Sequence, residues 1–419
     1  MSASLPLFPE RRDDELYVEA LPLSAIATRF GTPCYVYSKA HLSAALAAFQ
    51  AAFAGREHLI CYAVKANSNL AILNLFARLG AGFDIVSGGE LLRVLSAGGD
   101  PGKTVFSGVG KTTAEMELAL RHDILCFNVE SADELERLNE CAGRAGKRAP
   151  VSLRINPDVD AGTHPYIATG LKDSKFGIAY SDAAALYRRA RSLPHLAPQG
   201  IDYHIGSTVT ELAPFLEAFA KALALMDQLA GEGLALGHID IGGGIGIRYR
   251  DETPPDVGEY AAAILAIFGA RPQKLLLEPG RALVGAGGLL LTRVEYLKHG
   301  ASRNFAVVDA AMNDLIRPAL YQAYHEIVPV RERQQASTLY DVVGPICESG
   351  DFLGHDRRLA LAEGDLLAVL CSGAYGSSMS SNYNSRPRAA EVMVDGDRMH
   401  LIRARESVQQ LYALEQILP

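Results

Sequence analysis

Between residues 59 and 278 the chain alternates short, almost continuously apolar runs with longer segments whose apolar residues recur at helical spacing. The apolar runs fall at 59–64, 83–86, 104–106, 124–128, 151–155, 201–204, 239–241 and 275–278, and each fits a parallel strand buried on both faces. The segments 70–79, 89–97, 114–120, 132–145, 183–191, 212–229 and 257–268 read as helices between them, and an alanine-rich helix at about 39–53 comes before the first strand. Eight strands with connecting helices are the count for a (β/α)8 TIM-like barrel. A doubly wound open sheet is the competing fold. The barrel is preferred because polar or glycine-rich residues follow nearly every strand, where the loops of a barrel's working face lie.

After Glu278 the texture changes. Segments 289–296, 305–309, 339–343, 366–371, 391–394 and 400–403 are rich in Val, Leu and aromatic residues and are separated by Gly, Pro and Asp turns, which predicts a mostly-β C-terminal domain. A last helix is expected over 407–418. The N-terminus reads as a polar arm leading to Cys34-Tyr35-Val36-Tyr37.

Composition narrows the classes. The 419 residues are 49% hydrophobic, enough for a large core and two domains. The net charge of −8 is spread without long single-sign runs, so neither a nucleic-acid nor a membrane partner is expected. Residues 1–14 lack a basic start followed by an apolar stretch, and no later stretch reaches the roughly 20 apolar residues of a membrane span. The six cysteines are far apart and form no C-x-x-C pair, so neither a disulfide framework nor a zinc site is indicated, and a reducing cytoplasm is the expected location.

Candidate chemistry sits at the ends of the predicted strands. The first run delivers Lys65 in Cys61-Tyr62-Ala63-Val64-Lys65-Ala66-Asn67, either as a solvated strand end or as an amine in a pocket, where burial would make it nucleophilic. His204 ends the sixth strand, as a hydrogen-bonded core residue or a catalyst. Gly242-Gly243-Gly244 follows the seventh, as a flexible turn or an anion nest. Glu278-Pro279-Gly280-Arg281 follows the eighth, as a salt bridge or a paired carboxylate and guanidinium at a site. Two Walker-like pieces, Gly102-Lys103-Thr104 and Gly110-Lys111-Thr112, lack the required earlier glycine and read as turns or caps. The glycine run is not G-x-G-x-x-G, which argues against a dinucleotide site. A lysine, an imidazole, a glycine nest, a carboxylate and an arginine on one barrel face suit pyridoxal 5'-phosphate.

Tyr62-Ala63-Val64-Lys65-Ala66-Asn67, His204-Ile205-Gly206-Ser207, Asp240-Ile241-Gly242-Gly243-Gly244, Glu278-Pro279-Gly280-Arg281, Cys347-Glu348-Ser349-Gly350-Asp351 and Gly373-Ala374-Tyr375-Gly376 together resemble the fold-type III pyridoxal-phosphate decarboxylases. The resemblance covers nearly the whole chain. It implies an alanine racemase-like architecture with a barrel at 37–281, a β domain at 282–419 and an N-terminal segment, 1–36, joining the β domain. It implies that Lys65 carries the cofactor, that His204 lies against its ring, and that Ser207, Gly242, Gly243, Gly244 and Gly280 hold its phosphate. Glu278 would face the pyridine nitrogen and keep it protonated, strengthening the electron sink. Cys347 would return a proton to the carbon that has lost CO2, since a thiol that is mostly protonated at neutral pH can serve as an acid. Tyr375 would reach cofactor and substrate, and Cys347 and Glu348 would enter the site of a neighbouring subunit, giving a homodimer with shared active sites.

The same resemblance implies meso-2,6-diaminopimelate as the substrate, converted to L-lysine and CO2. Arg281, Arg317 and Tyr321 would take part in binding it, and two arginines suit a distal carboxylate through planar charge-assisted hydrogen bonds. Glu348 would pair with the distal ammonium. The segment 156–177 is expected to act as a lid. Ornithine, arginine or lysine as substrate, or a pyridoxal-phosphate-binding homologue without turnover, are the alternatives.

Overall fold

The computed structural model describes Leu5, residues 8–160 and residues 175–419. Most of the predicted lid therefore lies outside the described residues. The chain divides into two compact units, one made of Ala45–Ile247 with Thr253–Ala282, the other of the residues through Ala44 with Arg248–Glu252 and Leu283–Pro419.

The first unit is a closed barrel of eight parallel strands: β1 (His58–Ala63), β2 (Gly82–Ile85), β3 (Thr104–Phe106), β4 (Cys126–Val129), β5 (Ala149–Asn156), β6 (Leu196–Tyr203), β7 (His238–Asp240) and β8 (Lys274–Leu277). Pairing runs in chain order, and β8 closes on β1 through Leu275–His58, Leu276–Leu59 and Leu277–Ile60. The open-sheet alternative is thereby excluded. All eight predicted strands are present. Their apolar runs are continuous because the barrel interior covers one face and the helices the other. Leu59, Cys61, Val105, Cys126 and Leu276 from four of these strands pack as one buried layer. Cys61 and Cys126 are thus packing groups, and burial pushes the Cys126 thiol up to about 12.

Helices follow strands through short capped turns. Asn69 Oδ1 accepts from Ala71 N at 2.9 Å to start the helix Leu70–Arg78, and Thr112 and Glu115 form a capping box at Thr113–Arg121. Of the two Walker-like pieces, Gly110-Lys111-Thr112 leads into that capping box, and Gly102-Lys103-Thr104 is the end of a 3₁₀ turn, Pro101–Lys103, that runs into β3. Lys111 is buried, its Nζ donating to Glu134 Oε1 at 2.8 Å and to the carbonyls of Gly108 and Asn128.

The second unit is built on Gly288–His299, a strand flanked by Asn304–Val308 and Leu366–Val369 along one edge and by Cys34–Ser38 along the other. Thr338–Val343 and Phe352–Leu359 extend one end of this sheet, Ala390–Asp395 and Arg398–Arg403 the other. The expected polar arm is instead a small sheet, Glu10–Arg12, Glu15–Val18 and Leu21–Pro22, followed by the helix Leu23–Phe30. Leu16, Val18, Leu23 and Ile26 join the core of Cys34, Val36, Leu289 and Leu291, and Arg331 Nη2 donates to Glu15 Oε2 at 2.8 Å. Partners roughly 300 residues away organise this segment, and a local reading does not see them. The last helix is also corrected. It covers only Val408–Tyr412, and Leu414, Ile417 and Leu418 are more than nine-tenths exposed, so their periodicity gains no burial in the single chain.

Candidate active site

Strand β1 stops at Ala63, and Val64–Ala66 forms a single 3₁₀ turn that carries Lys65 beyond the barrel end. The lysine is neither a plain strand end nor fully buried. Its Nζ donates to Asp84 Oδ2 at 2.6 Å; Asp84 is fully buried, while the lysine side chain remains 38% exposed. Asp84 lies beside Ala63 in the β1–β2 register, so the barrel itself places the carboxylate next to the amine. The ammonium is anchored by Asp84 while more than a third of the side chain stays accessible.

On the strand next to β1, Glu278 lies one residue past the end of β8. Its Oε1 accepts from Ser107 Oγ at 3.3 Å and from Asn128 Nδ2 at 3.4 Å, and the same Asn128 amide donates to Ser107 Oγ at 3.1 Å. Oxygens of Glu278, Asp240 and Asp202 lie within 4.8 Å of one another, all buried. Burial, then Asp240, Asp84 and Asp202, push the Glu278 carboxyl well above its usual range, and Lys65 opposes them. Burial raises Asp240 to about 7 and Asp202 well above the carboxylate range.

The Gly242–Gly244 run is shaped by close approach. Gly242 and Gly244 have φ of 64° and 109°, and a side chain on any of the three would collide with the backbone oxygens of Tyr203, Glu278 or Gly206. The Gly242 N–H donates to Asp240 Oδ1 at 3.0 Å and the Gly243 N–H to His204 Nδ1 at 3.2 Å. Those two amides are therefore turned into the protein, and the run offers an anion room and shape more than spare donors. The Gly243 bond also sets the His204 tautomer: a ring accepting at Nδ1 carries its proton on Nε2. Burial, Arg154 and Lys65 hold this imidazole well below its usual pKa, so it is neutral. Arg281 Nη2 donates to Ser207 Oγ at 3.1 Å, so these residues from the loops after β8 and β6 form one edge. Gly280 packs against Ala63 and Ala66, beside the turn that carries Lys65.

The second unit holds the other sequence candidates. Arg317 is buried at the start of the short helix Arg317–Tyr321, with its guanidinium 5.4 Å from the Tyr249 ring centre and 6.0 Å from that of Tyr321. Its Nε donates to His325 Nε2 at 3.4 Å. Cys347 and Glu348 are exposed. Their loop is held from beneath by buried Asp351, which accepts from Met312 N at 2.7 Å and Ile346 N at 2.8 Å, while Cys347 N donates to Asn384 Oδ1 at 2.8 Å. Tyr375 is half-buried with φ 56°, a strained backbone for a residue with a side chain.

Sequence reading missed Asp84, Ser107, Asn128 and Asp202 and gave Asp240 no role. The signal was there: each is a polar residue within or just beyond an apolar parallel strand, where a buried polar group needs a reason. Asp202 is in register with Arg154 on one side and Asp240 on the other, which a linear reading does not reveal.

These residues fit pyridoxal phosphate. A half-exposed amine can hold the aldehyde, the glycine run clears space for a phosphate, and buried carboxyl groups around Glu278 lack the cation that a protonated ring nitrogen would bring.

Residues 39–285 match the family model described as pyridoxal-dependent decarboxylase, pyridoxal binding domain. A diaminopimelate decarboxylase of Pseudomonas aeruginosa is 62% identical over 97% of this chain and 98% of its own length, and one of Vibrio cholerae is 59% identical over 98% and 99%. Among solved structures, diaminopimelate decarboxylase from Helicobacter pylori complexed with L-lysine is 42% identical, with a TM-score of 0.91 over 94% of this chain and 99% of that one. Diaminopimelate decarboxylase from M. jannaschii is 37% identical, with a TM-score of 0.94 over 98% of both chains. Near-full-length identity of this order, on a barrel that places a lysine beside a buried carboxyl cluster, establishes that the chain belongs to the pyridoxal-dependent decarboxylases, in the diaminopimelate decarboxylase family.

Proposed function

We propose that the chain decarboxylates meso-2,6-diaminopimelate to L-lysine and CO2, the last step of lysine biosynthesis through diaminopimelate, with pyridoxal phosphate as its cofactor. The observation that carries this reading is 62% identity over 97% of the chain to a diaminopimelate decarboxylase. The alternatives of an ornithine, arginine or lysine decarboxylase, or of a homologue without turnover, gain no support from the relatives.

When bound, the cofactor supplies a sink for the electron pair left at Cα as CO2 departs. The chain's residues do the rest. Lys65 holds the cofactor through its amine, with Asp84 fixing where that amine sits. Glu278 supports positive charge at the ring nitrogen, and Ser107 and Asn128 orient its carboxyl. Neutral His204 packs against the ring without adding charge. Ser207, the Gly242–Gly244 run and the backbone at Gly280 surround the phosphate, with Arg281 bonded to Ser207. Arg317, Tyr321 and Arg281 take the substrate's carboxylates, Glu348 its distal ammonium, and Tyr375 contacts both cofactor and substrate. Cys347 delivers the proton to Cα.

Exposure of Cys347 and Glu348 in the single chain supports a homodimer in which these residues serve the barrel of a second copy. The protein acts in the cytoplasm, on a small-molecule substrate. Among the described residues no helix is long and apolar enough to cross a membrane.

The test is CO2 and lysine release by purified, cofactor-loaded protein given meso-diaminopimelate, LL-diaminopimelate, lysine, ornithine or arginine. Turnover of the meso isomer alone is expected. Turnover of ornithine or arginine instead would overturn the roles of Arg317 and Glu348.

A further inference from the structure

The barrel end holds more buried acid than buried base. Asp84, Asp202, Asp240 and Glu278 all project from its strands or strand ends, and the cations acting on them are Lys65 and Arg154. Arg154 is already engaged with Glu130, Nη1 to Oε1 at 3.2 Å. Like charges this close in a dry interior cannot all ionise.

Hydrogen-bond geometry locates the conflict. Asp240 Oδ1 accepts the Gly242 N–H, but Asp240 Oδ2 is buried and meets no N–H or O–H donor among the described residues. An Asp240 oxygen nevertheless lies within 4.8 Å of a Glu278 oxygen, both side chains being buried. Two carboxyl groups this close in a dry interior, one of them with an oxygen that meets no donor, are accommodated by a proton held between them, because ionised carboxylates are acceptors alone and repel. The Glu278 Oε1 atom is supplied by Ser107 and Asn128, so the pair's remaining need is met by one hydrogen. Around the pair, Asp84 and Asp202 favour retaining that hydrogen, whereas Lys65 and Arg154 favour losing it.

We propose that Asp240 and Glu278 share one proton in the cofactor-free barrel and surrender it to the cofactor's ring nitrogen when that nitrogen reaches Glu278. The O–H bond breaks, the nitrogen lone pair forms the N–H bond, and the pair becomes two carboxylates facing one cation, with total charge conserved. Asp240 is then a positioning residue with two attachments. Through Gly242 N it ties the glycine run, and by its closeness to Glu278 it reaches the ring-nitrogen end. The proton that activates the ring comes from the protein and not from solvent. This inference rests on the reading that Glu278 faces the ring nitrogen.

Infrared spectroscopy of the full-length apoprotein in H2O and D2O tests it without relying on turnover. The apoprotein should show the carbonyl stretch of a protonated carboxyl, shifted in D2O, and titration with pyridoxal phosphate should remove one such group per chain. Apoproteins carrying Glu278→Gln or Asp240→Asn should lack the band that the cofactor removes. Absence of a protonated-carboxyl band from the wild-type apoprotein would overturn the shared proton, as would a cofactor-minus-apo difference spectrum that is the same in wild type and both variants; the bands of Asp202 and Asp314, whose carboxyls burial also raises, are common to all three proteins and cancel in that difference. A band absent from the variants but untouched by cofactor in the wild type would overturn the transfer and move Glu278 away from the ring nitrogen. The wild-type titration stands even where a variant fails to fold.

Discussion

The barrel end and the Cys347–Asp351 loop of the second unit hold reactive groups in opposite ways. At the barrel end Asp84, Glu278 and Asp240 are buried and fixed by neighbours: Asp84 by Lys65, Glu278 by Ser107 and Asn128, Asp240 by Gly242. In the loop Cys347 and Glu348 are exposed, and what is fixed is the backbone beneath them, through Asp351 and Asn384. The barrel's chemistry is preorganised within one chain, where low dielectric makes each charge matter. The loop offers side chains whose surroundings another molecule must complete. Changes in the first region should therefore disturb cofactor, stability and activity together, and changes in the second activity alone.

The largest expected effect is in the barrel. Lys65→Ala should lower turnover by about 10⁴-fold or more, the scale on which a covalent participant is lost, and abolish retention of cofactor through gel filtration. Retained cofactor with near-normal turnover would remove Lys65 from its role.

Next is Cys347→Ala, expected to reduce kcat by about 10²- to 10³-fold, as for loss of a general acid. Because the side chain is exposed, the melting temperature should move by no more than a change of about 0.5 kcal/mol implies. A large loss of stability here would erase the contrast between the two regions.

Arg317→Ala probes an intermediate case, a buried residue of the second unit held between aromatic rings. It should raise KM for diaminopimelate by about 10²-fold, the worth of a charge-assisted bond pair, with a smaller change in kcat. Equal activity of wild type and variant at low substrate would rule out its contact with the distal carboxylate.

The smallest effect is one of pH. Asp314 in the second unit is buried, with Oδ2 accepting from Ala311 N at 3.0 Å, and burial raises its carboxyl to about 7. A folded pKa above the unfolded one means that folding favours the protonated form, so this contribution is complete below about 4 and is lost as pH rises through about 7. Asp314→Asn should flatten the fall in apoprotein melting temperature across that window. An unchanged slope would show that the buried acids of the barrel, Asp240 first among them, dominate it.

Much of this was legible in the chain. Buried parallel strands leave continuous apolar runs, so the barrel's eight strands could be placed within a few residues, and Lys65, His204, the glycine run and Glu278 stood at their ends. The N-terminal sheet and the extent of the last helix were not legible. Leu16 and Val18 become core residues through partners such as Leu289 and Leu291, and the 407–418 periodicity finds no surface to bury against.

The sequence alone determined where chemistry could occur, because a strand's end is a local event: an apolar run stops and a polar residue follows. Which groups meet there was decided by the tertiary structure. Closure of the barrel brings Ser107 and Asn128, from the third and fourth strands, to Glu278 after the eighth. The same closure sets Asp240 against Glu278 and Asp84 against Lys65. Ionisation depends on distance and burial, so whether Glu278 is a carboxylate or half of a shared proton exists only once the strands have closed into a ring.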